Sequence, residues 1–305
     1  MIHLKSISAT ILPTLLDPEL EATVESAFAE ACNLVTLQGQ HFALVSDKVG
    51  DGPLNAVVGR DQALALIDSG SRITGDGRCL HLGPGWRLDL EAAISWDPVP
   101  DFNRLAAWPF VVRTNLAWLR ETIPLEAPTA SFASEPQKQV QGAFGSRPAM
   151  TIVQAQAASL TNGLLDAYHH GKMSIVALFA QRLAGLGPGL TPAGDDWLAG
   201  WLVGLRAVGS MGLSDVPLAA EQVGKTVIKA ARGRTSDFSL AFLEMAATGA
   251  VSQPWHDLLE ALSSADPVPI RHAASEIMRR GATSGSDMLA GFLAAFDEPD
   301  NDFFG

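Results

Sequence analysis

Two periods divide this chain. Up to about residue 100, apolar residues come in short runs broken by turn residues; from Met150 onward they recur with helical spacing almost without pause. In the first part, Cys32–Leu37, His41–Ser46, Leu54–Val58 and Cys79–Leu82 read as strands. Gly39, Gly50-Asp51-Gly52-Pro53, Gly75-Asp76-Gly77 and Gly83-Pro84-Gly85 punctuate them, the last leading into a further strand at Trp86–Leu90. Asp17–Ala31 has helical spacing with Asp17-Pro18 as its start signal, and Arg60–Ser69 reads as a short helix. Asp101–Ile123 is helical, interrupted at Pro109. Residues 124–149 change composition towards Pro, Ser, Gln and Gly and read as a linker or mobile surface segment. The second part predicts helices at Thr151–His169, Met173–Ala184, Asp195–Val208, Pro217–Ala231, Ser236–Ala247, Gln253–Ser263, Pro269–Arg280 and Ser286–Phe296, with an acidic tail after them. The fold expected is α+β: a β-rich N-terminal domain, barrel- or sandwich-like, over residues 1–123, the segment 124–149, and an all-α domain over 150–305.

Composition narrows the function classes. The chain has 305 residues, 47% hydrophobic and 18% charged, which describes a core-rich globular protein. A net charge of −12 argues against non-specific binding to nucleic acid or an anionic membrane. No run of about 18 apolar residues is available to span a bilayer, and the N-terminus lacks a signal-peptide pattern. Cys32 and Cys79 are the only cysteines and read as free thiols. The expectation is a soluble cytoplasmic protein.

The candidate chemistry centres on Gly185-Leu-Gly-Pro-Gly-Leu-Thr-Pro-Ala-Gly-Asp-Asp196. Four glycines and two prolines cannot form regular structure, and the loop delivers two carboxylates to the start of a buried helix. Such carboxylates are costly without partners. The stretch is not a P-loop, because Asp195-Asp196 stands where Lys-Ser/Thr is needed, and it is not a dinucleotide fingerprint, because Pro192 occupies the third glycine. It has an echo: Gly285-Ser-Asp-Met-Leu-Ala-Gly-Phe-Leu293 aligns with Gly194-Asp-Asp-Trp-Leu-Ala-Gly-Trp-Leu202. An old duplication with the two helices packed as partners explains this; so does chance similarity of two capped, small-residue helices.

A basic and hydroxyl-rich stretch follows. Lys225, Lys229 and Arg232 share a helix face, and Arg234-Thr235-Ser236 with Ser239 opens the next helix. Helix capping accounts for much of it. The functional reading is an anion clamp, with Arg232 or Arg234 holding a carboxylate or phosphate beside the helix N–H groups. Asp195, Asp196 and Asp287 pose a problem for such a site, since carboxylates repel anions. Two ways out stay open at this point: a Mg²⁺ ion held by Asp196 and Asp287, or aspartates that orient the arginines. The histidines show no metal-ligand spacing, and no nucleophile elbow is present.

With these residues in view, the chain resembles the AllH-like family. The resemblance rests on Gly185–Asp196, on Arg234-Thr235-Ser236 with Ser239, and on Ser284-Gly285-Ser286-Asp287-Met288-Leu289-Ala290-Gly291, in that order. Val24-Glu25-Ser26-Ala27-Phe28 and Gly52-Pro53-Leu54 extend it to the N-terminal part. Ala193 stands where the family usually has Ser, which argues against a catalytic side chain there. The resemblance implies a subunit of oxamate carbamoyltransferase, the enzyme of anaerobic allantoin degradation that converts oxalurate and phosphate to oxamate and carbamoyl phosphate. It also implies other, different subunits as partners and small anions as ligands. The site expected has Asp195, Asp196 and Asp287 as catalytic residues. Gly187, Gly189, Thr191, Gly194, Arg232, Arg234, Thr235, Ser236, Ser239, Ser284 and Gly285 are expected to bind substrate. A cofactor is left open, Mg²⁺ being the candidate. The alternatives are a non-catalytic anion- or partner-binding subunit and a Mg²⁺-dependent hydrolase. The three polar loops are expected to converge in space.

Overall fold

The computed structural model describes residues 2–59, 64, 67–83, 86–128, 130–133, 152–212 and 218–297. Most of the predicted 60–69 helix, most of the 124–149 segment and the tail beyond residue 297 lie outside the described residues. The chain forms two compact units. One contains the described residues up to Pro100 with Ala250–Gln253, and the other contains Asp101–Gly249 and the chain from Pro254 on. The residues at 101–123, grouped by sequence with the N-terminal part, therefore belong to the helical unit.

The first unit is a closed barrel of eight strands among the described residues: β1 (Ile2–Ser8), β2 (Glu21–Ala27), β3 (Ala31–Thr36), β4 (His41–Ser46), β5 (Asn55–Val58), β6 (Arg72–Gly75), β7 (Cys79–His81) and β8 (Arg87–Asp89). The order runs β5-β4-β3-β2-β6-β7-β8-β1, and an antiparallel β1–β5 pairing closes the ring. A ninth strand, β9 (Ile94–Trp96), runs parallel to the second half of β1, just past the residues that pair with β8. Closure removes exposed edges, and the interior is filled by Leu4, Val24, Leu34, Phe42, Leu44, Ala56, Ile73, Leu80 and Leu88, all buried. A four-residue helix, α1 (Leu12–Leu15), links β1 to β2.

One expectation fails here. Asp17–Ala31 is not a helix: it contains β2 and the start of β3. Glu21-Ala22-Thr23-Val24-Glu25 alternates polar and apolar, and only Ala22 and Val24 of these are buried, which is the period of a half-buried strand. Phe28, the one large apolar residue after Val24 in this run, is exposed.

The second unit is helical: α2 (Asn103–Ala107), α3 (Pro109–Glu126), α4 (Ile152–His169), α5 (Met173–Leu183), α6 (Ala193–Ser210), α7 (Ala220–Ala231), α8 (Asp237–Thr248), α9 (Gln253–Leu262), α10 (Pro267–Met278) and α11 (Ser284–Ala294). Its centre is α6, buried nearly all round, as an apolar helix with no polar stripe must be. The closest partner of α6 is α11. At Gly200 a Cβ would run into the Met288 carbonyl oxygen, and at Gly291 a Cβ would run into the Trp197 carbonyl oxygen. The contact is reciprocal. An offset of 91 residues carries Trp197 to Met288 and Gly200 to Gly291, so each glycine meets the partner residue three positions before its own counterpart. Cα–Cβ bonds tilt towards the helix N-terminus, so this pattern means two parallel helices at equal height about a local two-fold axis. Gly204 agrees, since its Cβ would lie 2.5 Å from that of Ala295, its own counterpart. The preceding segments repeat too: Gly194 packs on the Leu183 carbonyl at the end of α5, and Gly285 on the Ile277 carbonyl near the end of α10. The repeated packing supports duplication over chance as the origin of the echo. It also sets the starts of α6 and α11 side by side.

Candidate functional site

The site lies where α6, α8 and α11 begin. The glycine-rich loop reaches it by leaving α5 through Gly185, at φ 76°, a conformation that L side chains rarely adopt. A Cβ there would collide with the Arg234 carbonyl oxygen, so this position also lets the loop before α8 lie directly against the loop before α6. Asp195 then ties the two together. Its Oδ1 accepts from the Gly185 N–H at 2.9 Å, and its Oδ2 accepts from the Thr235 hydroxyl and from Ser239 Oγ at 2.7 Å. Ser236 caps α8 by accepting from the Ser239 N–H at 3.1 Å, and its own hydroxyl donates to the Leu190 carbonyl at 3.4 Å. The third loop joins through Thr191 Oγ1 and Ser284 Oγ, 3.2 Å apart.

Asp196 and Asp287, counterparts under the 91-residue offset, form the second layer. Asp287 is fully buried. Its Oδ1 accepts from Ser131 Oγ at 2.7 Å and from the Phe132 N–H at 2.6 Å. Its Oδ2 and the buried Oδ2 of Asp196 have no partner among the described residues, nor has Ser286 Oγ. Burial pushes the Asp196 carboxyl up to about 8, with smaller pushes from the charges of Asp287 and Asp195; the Ser284 and Thr191 hydroxyls pull the other way. Burial also raises Asp287, against the Ser131 hydroxyl and the Phe132 N–H.

The structure thus brings together Thr191, Gly194, Asp195, Asp196, Thr235, Ser236, Ser239, Ser284, Gly285 and Asp287. Gly187 and Gly189 shape the loop, at φ 109° and 113°. Gly194 and Gly285 are close-approach positions against the preceding helices. Arg232 stands apart, paired with Glu244 at 3.3 Å on the surface. Arg234 is exposed, and its backbone N–H closes a turn on Ala231. Sequence reasoning missed Ser131 and Phe132, which it had assigned to the linker. The one available signal was a Ser-Phe pair in an otherwise Pro/Gln/Gly-rich stretch. Among the described residues, no three His, Cys, Asp or Glu side chains are grouped to hold a metal ion.

Because Asp195 joins three donors, from the glycine-rich loop, the loop before α8 and α8 itself, Asp195→Ala is expected to destabilise the fold by about 3 kcal/mol, with the donors left unpaired. Urea denaturation of the full chain measures it, and a loss below about 1 kcal/mol would show that the three bonds are not cooperative.

The model of the family described as oxamate carbamoyltransferase subunit AllH matches residues 183–296, from the end of α5 to just past α11. The model of the AllH family N-terminal domain matches residues 4–95, the barrel. The chain belongs to the AllH family. The match runs from the glycine-rich loop and α6 to α10 and α11, so the local two-fold of α6 and α11 and the loops it gathers fall inside it. No curated protein and no solved structure matches the chain. Among the described residues, no helix is long and apolar enough to cross a membrane.

Proposed function

We propose that this chain is a subunit of an oxamate carbamoyltransferase-type enzyme, and that the shared starting end of α6, α8 and α11 binds its small anionic substrate, carbamoyl phosphate or oxamate. The observation that carries the reading is the hydrogen-bonded convergence of three polar loops, distant in sequence, on one set of helix starts. Donors are available there. Among the described residues, the N–H groups of Gly187, Gly189, Leu190 and Thr191 donate to no protein acceptor, and Arg234 is the exposed cation beside Thr235. Backbone N–H groups of this kind and an arginine suit a phosphate or carboxylate.

The three aspartates do not spoil such a site. Asp195 is compensated by three donors, and Asp196, pushed to about 8, is largely uncharged at neutral pH. The chemistry of the site is then positioning and charge stabilisation. In a Mg²⁺-dependent hydrolase the ion itself would have to hold Asp196 and Asp287 ionised against the burial that raises both. The reading places the chain in the cytoplasm, in allantoin breakdown, alongside other subunits.

Calorimetric titration of the full chain with carbamoyl phosphate and with oxamate tests the binding. Arg234→Ala is expected to weaken it by about 1.5–3 kcal/mol, the range for a charged hydrogen bond. Affinity unchanged by Arg234→Ala, or no binding to the wild-type chain, would count against the site. A second reading has its own support: Asp195 is fully bonded and Asp287 is covered by Ser131 and Phe132, which leaves neither free as a general base. In that reading the chain binds the anion and completes a partner's active site. Carbamoyl phosphate formation by the isolated chain excludes the second reading; activity that appears only on adding the other subunits fits either a shared site or the completing role.

A further inference from the structure

We propose that Arg280 is a second cation of the ligand site: its guanidinium takes an oxyanion group of the ligand, the phosphate of carbamoyl phosphate or the carboxylate of oxamate. This rests on the reading of the α6–α8–α11 end as the substrate site. Three observations lead to it. The first is place. Arg280 lies between α10 and α11, and its carbonyl accepts from the N–H of Gly285, in the first turn of α11, at 3.1 Å. The next residue, Gly281, has φ 65°, and a Cβ there would lie 2.9 Å from Ser284 Oγ, the atom that meets Thr191 of the glycine-rich loop. Arg280 therefore opens the third of the converging loops.

The second observation is the repeat. Leu186 holds the same place before α6. The Gly194 N–H donates to its carbonyl at 2.9 Å, and its own N–H donates to the Leu183 carbonyl, as that of Arg280 donates to the Ile277 carbonyl. Leu183 and Ile277 are the residues on whose carbonyls Gly194 and Gly285 pack. One copy of the repeat fills this position with an apolar side chain, so the fold itself has no need of a charge there. Both positions are part-exposed, which leaves a side chain at either within reach of a ligand from solvent.

The third observation is a missing partner. Three arginines are part-buried among the described residues. Arg120 is bonded to Asp297 and to the Leu293 carbonyl, and Arg206 to the Ala247 carbonyl. The Arg280 guanidinium has neither a hydrogen bond nor an ion pair among the described residues, and Glu276, the acid whose charge it feels, is engaged by Arg279. A guanidinium keeps its charge at any working pH, and a part-buried one without an acceptor is destabilising until an anion arrives. Its planar fork fits two oxygens of a phosphate or a carboxylate at once. The N–H groups of Ala282 and Thr283, in the same loop, donate to no protein acceptor among the described residues. The proposed transfer handles two oxyanions, a carboxylate and a phosphate. Arg234 and Arg280, from different loops, give the site one cation for each.

The test titrates inorganic phosphate and oxamate separately into the full-length wild-type chain and into Arg280→Met, which keeps an apolar stem and removes the guanidinium. Arg280→Met is expected to bind one of the two anions at least about tenfold more weakly. A loss for phosphate assigns Arg280 to the phosphate group; a loss for oxamate assigns it to the carboxylate. The ligand-free variant is expected to melt no lower than the wild type, because the guanidinium has no bond to lose. Unchanged affinity for both anions, or a ligand-free melting temperature below that of the wild type, overturns the proposal while leaving the substrate site standing. Binding of neither anion by the wild-type chain overturns the reading of the site itself. Should Arg280→Met not fold, Arg280→Gln is judged by the same two measurements.

Discussion

Gly200→Ala is expected to cost the fold about 3 kcal/mol or more, while Gly209→Ala, the same substitution nine residues along the same helix, is expected to stabilise it by about 0.5–1 kcal/mol. Both glycines lie in α6 and both lose backbone entropy on folding, which alone favours alanine. They differ in what a methyl group meets. At Gly209 there is nothing within 4 Å. At Gly200 the methyl would enter the space of the Met288 carbonyl oxygen, a backbone atom in α11 that cannot move aside without moving the helix. Gly291→Ala should match Gly200→Ala, because its methyl would meet the Trp197 carbonyl in the reciprocal position. Separating the two helices would also pull Thr191 from Ser284, so any folded fraction of either variant should bind oxamate more weakly. Urea denaturation of the three variants measures the energies. A mild, equal effect of Gly200→Ala and Gly209→Ala would mean that α6 and α11 are not in backbone contact.

Much of the helical unit was legible because its signals are local. Apolar spacing, the Ser236 cap and the turn residues between helices each act within a turn or two of chain, and the predicted helices match the observed ones to a few residues. Five strands of the barrel, β3, β4, β5, β7 and β8, were legible, but β1, β2 and β6 were not read as strands, nor was the closure legible. The antiparallel β1–β5 pairing and the parallel β1–β8 pairing join residues far apart in sequence, and no local pattern marks them. β2 was misread because two periods compete in a short run. Leu20 and Val24 suit a helix face, whereas Ala22 and Val24 suit a strand face, and the flanking pairing in the barrel decided between them.

The candidate site was legible to the extent that it repeats. The Gly-x-Asp echo pointed to two matching helix starts, and their adjacency follows from the paired glycines. What sequence could not show is the division of labour among the three aspartates. Asp195 and Asp196 are neighbours in a helical first turn, yet helical geometry turns them about 100° apart. One faces the loop before α8 and acquires three donors; the other faces α11 and acquires a carboxyl group and two hydroxyls. Ser131 escaped for the opposite reason. Its partner is 156 residues away, in the other half of the chain.

The division between the aspartates makes a second large effect measurable. Asp196→Asn is expected to remove a pH dependence from the stability of the protein. An ordinary aspartate titrates near 3.8, and burial carries the Asp196 carboxyl up to about 8 in the folded state. Between those values the folded chain keeps a proton that the unfolded chain has released. Stability is therefore greatest below the unfolded value and falls as pH rises, at roughly 1.4 kcal/mol per pH unit for one group, until the folded carboxyl itself ionises. The direction is opposite to that of a salt-bridged aspartate, which gains stability over the same range. Asparagine has nothing to titrate and preserves the shape, so the variant should gain on the wild type as pH rises. The gain expected between about pH 5 and about pH 8 is roughly 3–4 kcal/mol. Asp287 is raised in the same direction and remains in both proteins, so the difference between them isolates Asp196 to first order. Denaturant melts of both proteins across that range give the answer. If the difference in stability is flat with pH, Asp196 is ionised throughout that range and burial does not hold its proton.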